Sequence, residues 1–215
     1  IYTPPIGRIP VKTTLLKWDD RVIKNAVLYE INRGGQVYFV HNKIETLSSI
    51  ENRLKKIVPN CRIVAAHAKI PSRKLEKIMV DFWEGNFDIL LSTAIIESGI
   101  DNPNSNTMFI NRGDIFGLAQ LHQLRGRIGR SDVEAFCYII VPSKDEITES
   151  ARKRLSVFKS YSSIGAGLKL ALKDLEIRGA GNLLGEKQHG NIGIIGFSLY
   201  YKPVSYTHLT LPTKR

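Results

Sequence analysis

The chain is poor in cysteine, methionine and tryptophan, with two of each among its 215 residues. Cys61 and Cys137 lie far apart, with neither a Cys-x-x-Cys motif nor histidines at metal-ligand spacing. Both fall in apolar, strand-like runs, so we interpret them as buried thiols of a cytosolic protein rather than a disulfide or a metal site. No uncharged apolar run approaches the ~18 residues of a membrane span, and no charged-then-apolar signal sequence opens the chain. These absences argue against a disulfide-stabilised mini-protein and a membrane-spanning protein.

The remaining composition is that of an ordinary globular protein, with 43% hydrophobic and 24% charged residues. The length allows one domain of ~150 residues and a smaller second part. Because the chain does not begin with methionine, we expect it to be a fragment of a longer protein. Its 31 Lys and Arg exceed its 20 Asp and Glu, which gives a net charge of +11. This excess favours a polyanionic partner, with nucleic acid as the first candidate.

Short β-rich runs alternate with amphipathic helical segments over the first two thirds of the chain. Helical spacing covers residues 19–33, 44–57, 72–84 and 118–124, and β-rich runs cover residues 36–40, 62–65, 87–92, 107–110 and 135–141. Ser72 is expected to cap the third helix. The alternation predicts an α/β fold, a parallel sheet with helices on both faces. After Pro142, residues 148–161 and 167–178 are predicted to form a helical hairpin, followed by a Gly-rich stretch.

The first polar loop, residues 92–107, follows one of the predicted strands. Open α/β sheets bind ligands beyond the carboxyl ends of their strands, so this is where we expect the chemistry. Gly99 permits a close backbone approach, and Asp101 can accept a hydrogen bond from a sugar hydroxyl. The alternative is a polar turn with good capping residues, which Glu97 and Asp101 can supply.

The second polar loop, residues 120–131, interleaves three arginines with glycines. Arg125, Arg127 and Arg130 carry the planar guanidinium that binds phosphate oxygens in bidentate fashion. We expect Gly126 and Gly129 to let this loop approach a ligand closely. Arginines presented in this way can neutralise the charge that develops on a transferred γ-phosphoryl group. The alternatives are a solvated basic turn and a non-specific clamp on a phosphate backbone.

In this order, the segments resemble the second motor domain of superfamily 2 helicases and translocases. GGQVYFVHN (34–42) resembles motif IV, AAHAKI (65–70) motif IVa, STAIIESGID (92–101) motif V and QLHQLRGRIGR (120–130) motif VI. DLEIRGAGNLLGEKQHGNIGIIGFSLY (174–200) resembles the TRG (translocation) motif of RecG branched-DNA helicases and bacterial transcription-repair coupling factors. The amino-acid sequences of motifs V and VI and of the TRG element are closer to those of the coupling-factor family than to those of RecG. A RecG-type helicase is the alternative.

The resemblance covers residues 2–201 and implies a RecA-like parallel sheet followed by a TRG helical hairpin. It implies a second RecA-like helicase C-terminal domain over residues 1–145 and the hairpin with its Gly-rich loop over residues 146–201. Family members usually carry an aliphatic residue at the position of Asn102, so we expect the local packing to differ there. Residues 202–215, KPVSYTHLTLPTKR, do not fit the family and look like a translated cloning junction. We expect them to be a non-native tail.

For the nucleotide, the resemblance implies arginine fingers at Arg127 and Arg130 that reach an ATP held by the other motor domain. It implies that Gln123 helps to hold the two domains together around that nucleotide. Gly99 and Asp101 match the motif V residues that line the nucleotide cleft.

For DNA, the resemblance implies that Asn42, His67 and Thr93 lie in motifs that contact one strand through its phosphates. Arg178 and Gln188 lie in the TRG element, which in the family links the hairpin to ATP-driven movement along duplex DNA. Other interpretations remain open at three positions. Asn42 can cap the next helix, His67 can be a satisfied core histidine, and Gln188 can be a plain surface residue.

The sequence lacks both the phosphate loop GxxxxGK[ST] and an Asp-Glu metal box. ATP hydrolysis needs both, to cradle the β/γ-phosphates and to hold Mg²⁺. We expect them on a first motor domain preceding Ile1, which would bind most of the ATP and Mg²⁺. The chain alone is therefore expected to show no appreciable ATPase or helicase activity.

The resemblance implies part of an ATP-dependent double-stranded DNA translocase in the bacterial cytoplasm. In the coupling-factor family this motor acts on stalled RNA polymerase and recruits excision-repair proteins, through domains that this chain does not contain. The rival hypothesis from another class is a passive nucleic-acid-binding module, whose basic loops clamp phosphates without ATP.

Overall fold

The computed structural model of the chain describes residues 9–93, 102–143 and 146–160. Six parallel strands form one sheet in these ranges: β1 (Lys12–Leu16), β2 (Gln36–His41), β3 (Ile63–Ala66), β4 (Ile89–Ser92), β5 (Ser105–Asn111) and β6 (Phe136–Ile140). Their order across the sheet is β1-β6-β5-β2-β4-β3, and every neighbouring pair is parallel. The predicted parallel α/β sheet is thus confirmed.

The helices, four that connect strands and α5 after β6, lie close to their predicted positions. They are α1 (Asp20–Asn32), α2 (Leu47–Ile57), α3 (Ser72–Trp83), α4 (Leu118–Arg125) and α5 (Glu149–Ser160), with short 3₁₀ turns at Ile44–Thr46 and Gly113–Ile115. The Asp19 carboxylate caps α1 by accepting the backbone N–H of Arg21 at 2.8 Å. The predicted cap at Ser72 is wrong, because Pro71 occupies the N-cap position and makes no side-chain bond there.

Alternating side chains along each strand pack against helices on opposite faces of the sheet. On one face, Val37 and Phe39 belong to a buried apolar cluster with residues of α1 and α2. On the other face, the Tyr38 ring lies 5.4 Å from the ring of Phe82 on α3. Helices therefore cover both faces, as expected for strands joined by helical crossovers.

Helix α5 packs against α4 and the 3₁₀ turn that follows β5. Its buried side chains are Ala151, Leu155 and Phe158, which recur on one helical face. The predicted second hairpin helix, the Gly-rich stretch and the suspected tail lie outside the described residues. None of the helices in the described ranges is long and apolar enough to cross a membrane.

Candidate nucleotide and DNA contact sites

The parallel sheet has two rims, and the predicted site residues lie on both. The carboxyl rim consists of the residues that directly follow the strands. The amino rim consists of the residues that directly precede the strands, together with residues 126–135, which we call the arginine loop. Three predicted DNA-contact residues directly follow the neighbouring strands β2, β4 and β3: Asn42, Thr93 and His67. They form a row on the carboxyl rim, which we call the DNA row. The structure therefore brings together the three residues that the motifs assign to DNA.

The three residues of this row differ in accessibility. Asn42 is exposed, His67 is half-buried and Thr93 is buried. Asn42 is not a helix cap, because Lys43 occupies the N-cap position of the next 3₁₀ turn. Nor is His67 a satisfied core histidine, since its Nδ1 is buried and has no hydrogen-bond partner among the described residues. The side chains of Asn42 and His67 are thus the more accessible ones for a ligand.

His41, the last residue of β2, joins the ends of two neighbouring strands. The Asn111 side-chain amide at the end of β5 lies 3.0 Å from His41 Nδ1, and Thr46 Oγ1 lies 2.7 Å from His41 Nε2. Because the Asn111 amide nitrogen can only donate, Nδ1 accepts, and in the neutral ring Nε2 carries the proton that Thr46 accepts. This network fixes the turn that presents Asn42 and Lys43.

The burial of His41 makes the stability of the fold dependent on pH. Burial, and then the charges of Lys43 and Arg112, lower the pKa of His41 below its ordinary value of about 6.5. As the pH falls, His41 therefore binds a proton more readily in the unfolded chain than in the folded one. The free energy of unfolding thus has its highest value above pH ~6.5, as far as His41 determines it, and decreases below that pH. Urea titrations at about pH 7.5 and pH 5.5 measure this difference. His41→Gln should reduce it, and an equal decrease in that variant would contradict the assignment.

The arginine loop lies on the amino rim, opposite the predicted DNA row. It runs from the end of α4 to the start of β6, and Ser131 Oγ donates to Asn106 Oδ1 near the start of β5 at 3.3 Å. This loop therefore does not lie beyond the carboxyl ends of the strands, where open α/β sheets usually bind ligands. A helix between two parallel strands returns the chain to the amino ends of the strands. This loop follows such a helix, α4, and leads into the amino end of β6.

Gly129 lets the arginine loop pack tightly against other parts of the protein. Its φ of +67° is in the left-handed region, and a Cβ there would lie 2.9 Å from Val11 Cγ2 and 3.1 Å from Ala135 Cβ. The close approach that Gly129 permits is thus to Val11 and Ala135 of the protein itself. The tight turn anchors the residues on either side of Gly129.

The residues of α4 and of the arginine loop that are predicted to contact the nucleotide are exposed or half-buried. Gln123 and Arg130 are exposed and Arg127 is half-buried. Arg130 Nε donates to the Gly126 carbonyl at 3.1 Å, which folds this side chain back over the end of α4. Two arginines and one amide therefore surround the end of α4 on the amino rim.

Arg125 is not presented to a ligand, contrary to the expectation from the spacing. It is 5% exposed, and its guanidinium lies 4.3 Å from the centre of the Phe158 ring on α5. Burial lowers its pKa from the ordinary arginine value, and burial raises the pKa of Cys137 to about 12. Arg125 thus ties α4 to α5 by a cation–π contact.

Asn102 is a buried polar residue whose hydrogen bonds are satisfied. It is 2% exposed, its amide donates to Gln36 Oε1 at 2.8 Å, and its Oδ1 accepts the Asn104 N–H at 2.9 Å. Gln36 in turn donates to the Phe82 and Phe87 carbonyls, at 2.6 Å each. The altered packing expected at Asn102 is thus a hydrogen-bond network on the amino rim, which offsets the cost of burying an amide.

Four of the predicted site residues lie outside the described residues: Gly99, Asp101, Arg178 and Gln188. Asp101 directly precedes Asn102 in the sequence. Within the described ranges, no three His, Cys, Asp or Glu side chains gather into a group that could hold a metal ion.

The sequence and the fold match known helicase-type proteins. A family model described as "Helicase conserved C-terminal domain" matches residues 20–132, more than half of the chain. The chain is 51% identical over 200 residues to the transcription-repair-coupling factor of Myxococcus xanthus and 49% identical to that of Escherichia coli (strain K12). Each match covers 93% of this chain and 17% of the relative, so the chain spans about a sixth of the length of these relatives.

A solved structure of another protein has a similar fold. The structure of RecG bound to a three-way DNA junction matches with a TM-score of 0.74 and 37% identity, covering 94% of this chain and 26% of that one. The motif resemblance found in the sequence is thereby confirmed at the level of the family. The chain belongs to the helicase conserved C-terminal domain family.

Proposed function

We propose that this chain is the second motor lobe of an ATP-dependent double-stranded DNA translocase of the transcription-repair coupling type. The observation that carries the proposal is the separation of the two rims. The arginines assigned to ATP lie on the amino rim, and the residues assigned to DNA lie on the carboxyl rim. A passive phosphate clamp would have no need to hold its arginines on the rim opposite the other DNA contacts.

On the amino rim, Arg127 and Arg130 act as donors to the phosphates of an ATP bound between this lobe and a first motor lobe. Their guanidinium groups neutralise negative charge as it develops on the transferred γ-phosphoryl group. Gln123, one turn earlier on α4, contacts the same cleft. The first lobe would supply the phosphate loop and hold the Mg²⁺ ion, which would offset the negative charge of the ATP phosphates.

On the carboxyl rim, Asn42, His67 and Thr93 contact phosphates of one DNA strand. These contacts are to the backbone, so they hold the lobe on DNA without reading sequence. Closure of the nucleotide cleft moves the whole lobe, because the rigid sheet joins the two rims. The DNA row is displaced with it, and the cycle of closing and opening becomes movement along the duplex in the bacterial cytoplasm.

A RecG-type branched-DNA helicase is the second candidate, and its structural match to this chain favours it. Both candidates use the same two rims and differ in the DNA that they process. In the coupling-factor candidate, the complete protein acts on stalled RNA polymerase and recruits excision-repair proteins through other domains. Displacement of a stalled polymerase supports the first candidate, and preferential unwinding of a three-way junction supports the second.

The proposal is tested by joining this chain to the first motor lobe of the Escherichia coli coupling factor. We expect ATP hydrolysis by the fusion to be stimulated by duplex DNA, because the two lobes together complete the nucleotide site. This chain alone and the first lobe alone serve as controls and should show background hydrolysis. DNA-stimulated hydrolysis by this chain alone, or no stimulation of the fusion, would overturn the proposal.

A further inference from the structure

Arg112, the residue that follows β5, has a strained backbone conformation. Its φ of 56° and ψ of 50° are left-handed, and it is the one non-glycine residue with positive φ in the described part of the chain. This region is unfavourable for a residue that has a Cβ and is neither Asn nor Asp. Such strain persists where surrounding contacts impose it, and it is frequent at functional sites.

A carboxylate holds the Arg112 guanidinium in one orientation. Arg112 Nε and Nη2 donate to the two Asp114 carboxylate oxygens, at 2.9 Å each. The Asp114 side chain is 8% exposed, and Arg154 of α5 donates to its carbonyl at 3.1 Å. This bidentate pair uses two of the five guanidinium N–H groups, and the Arg112 side chain is 42% exposed. The pair therefore fixes the guanidinium while three N–H groups remain for a ligand.

The position of Arg112 extends the DNA row by one strand. Strand β5 is the neighbour of β2, and the Asn111–His41 hydrogen bond ties the ends of these two strands together. Neighbouring strands lie ~4.8 Å apart, so Arg112 stands beside Asn42 at the spacing that separates the other members of the row. The charge of Arg112 also helps to lower the pKa of His41, which directly precedes Asn42.

We propose that Arg112 is a further DNA-binding residue, which contacts a backbone phosphate next to the one that Asn42 contacts. This inference rests on the proposed function, because it uses the carboxyl rim as the DNA track. A guanidinium held by a carboxylate presents its remaining N–H groups to a phosphate without first losing rotamer freedom. The left-handed backbone conformation of Arg112 brings its side chain to this position beside Asn42 on the carboxyl rim.

The test is duplex-DNA binding by this chain, measured by fluorescence anisotropy over a salt series. Arg112→Gln should make the slope of log K against log[salt] less steep by about 0.9, because one phosphate contact is lost, and weaken binding roughly tenfold at low salt. Arg112→Lys keeps the charge and should keep the slope. Arg112→Gly also removes the charge but relieves the backbone strain, so it reports the same loss of slope if Arg112→Gln folds poorly.

Arg62→Gln is the matched control for the loss of an arginine in a bidentate pair. Arg62 directly precedes β3 on the amino rim and is paired with Asp88, with Nη2–Oδ1 at 2.7 Å and Nε–Oδ2 at 3.2 Å. Its side chain is 57% exposed, comparable to that of Arg112. We expect Arg62→Gln to leave the salt slope unchanged, because this rim faces away from the DNA row.

The outcomes separate this inference from the proposed function on which it rests. If Asn42→Ala weakens binding while Arg112→Gln and Arg112→Gly leave the slope unchanged, the role of Arg112 is overturned and the DNA row stands. An equal loss of slope in Arg62→Gln would also overturn it, because the effect would then be one of total charge. If the unaltered chain does not bind duplex DNA at about 20 mM salt, both the row and Arg112 are overturned.

Discussion

Arg127→Ala is expected to reduce DNA-stimulated ATP hydrolysis by a factor of about 10³–10⁵ in the fusion of this chain with a first motor lobe. The guanidinium of Arg127 contributes in the transition state, where negative charge spreads over the γ-phosphoryl oxygens, so its loss acts mainly on kcat. Steady-state hydrolysis at saturating ATP and duplex DNA measures the effect. Arg130→Ala should show a loss of the same kind.

The affinity for DNA should be unchanged in Arg127→Ala, because this arginine lies on the rim opposite the DNA row. Its salt slope should match that of the unaltered chain. A slope less steep by about 0.9, together with hydrolysis close to normal, would show that Arg127 contacts a DNA phosphate. That result would favour the passive nucleic-acid-binding module.

Arg33→Met is expected to lower the free energy of unfolding by about 3–5 kcal/mol, because it leaves a buried carboxylate without its cation. Glu30, on α1, is fully buried, and its Oε2 accepts hydrogen bonds from Arg33 and from the Thr107 hydroxyl. The Arg33 guanidinium also lies 5.2 Å from the centre of the Tyr29 ring and donates to the Glu134 carbonyl at 2.8 Å. Urea unfolding followed by circular dichroism measures the loss.

Lys55→Met provides the matched control for the loss of an ion pair. Lys55 is 54% exposed and pairs with Glu51 one helical turn earlier, so its loss should cost about 0.3–0.5 kcal/mol. The double variant Glu30→Gln with Arg33→Met should recover part of the stability lost in Arg33→Met, since no buried charge then remains unpaired. Equal losses of unfolding free energy for Arg33→Met and Lys55→Met would show that the buried Glu30–Arg33 pair contributes no more to stability than an exposed ion pair.

The alternation of helices and strands was predictable because each element carries its own periodicity. The predicted helices over residues 19–33 and 118–124 agree with α1 and α4 to within one residue at each end. Strand β1 was missed, because it is a short edge strand that alternates exposed and half-buried positions and has no strongly apolar run. Its place is set by pairing with β6, far along the chain, and this pairing cannot be recognised locally.

The candidate site was predictable as motifs but not as geometry. Spacing alone treats the three arginines of the loop alike, whereas only the structure shows that Arg125 is buried against Phe158. That contact joins residues of different helices, so no local pattern indicates it. The same holds for Arg112, since arginine gives no sequence signal for a left-handed backbone. The placement of the DNA row and of the arginine loop on opposite rims needed the strand order and the crossovers.

The most direct test of the two-rim arrangement measures ATP hydrolysis and duplex affinity together in the fusion protein, for Arg127→Ala and Asn42→Ala. With separate ligands on the two rims, Arg127→Ala loses hydrolysis at saturating DNA and keeps the affinity for DNA. The same arrangement predicts that Asn42→Ala binds DNA more weakly and recovers hydrolysis when the DNA concentration is raised. If the two variants instead lose affinity and hydrolysis in the same proportion, the two rims do not have separate ligands, which contradicts the two-rim arrangement.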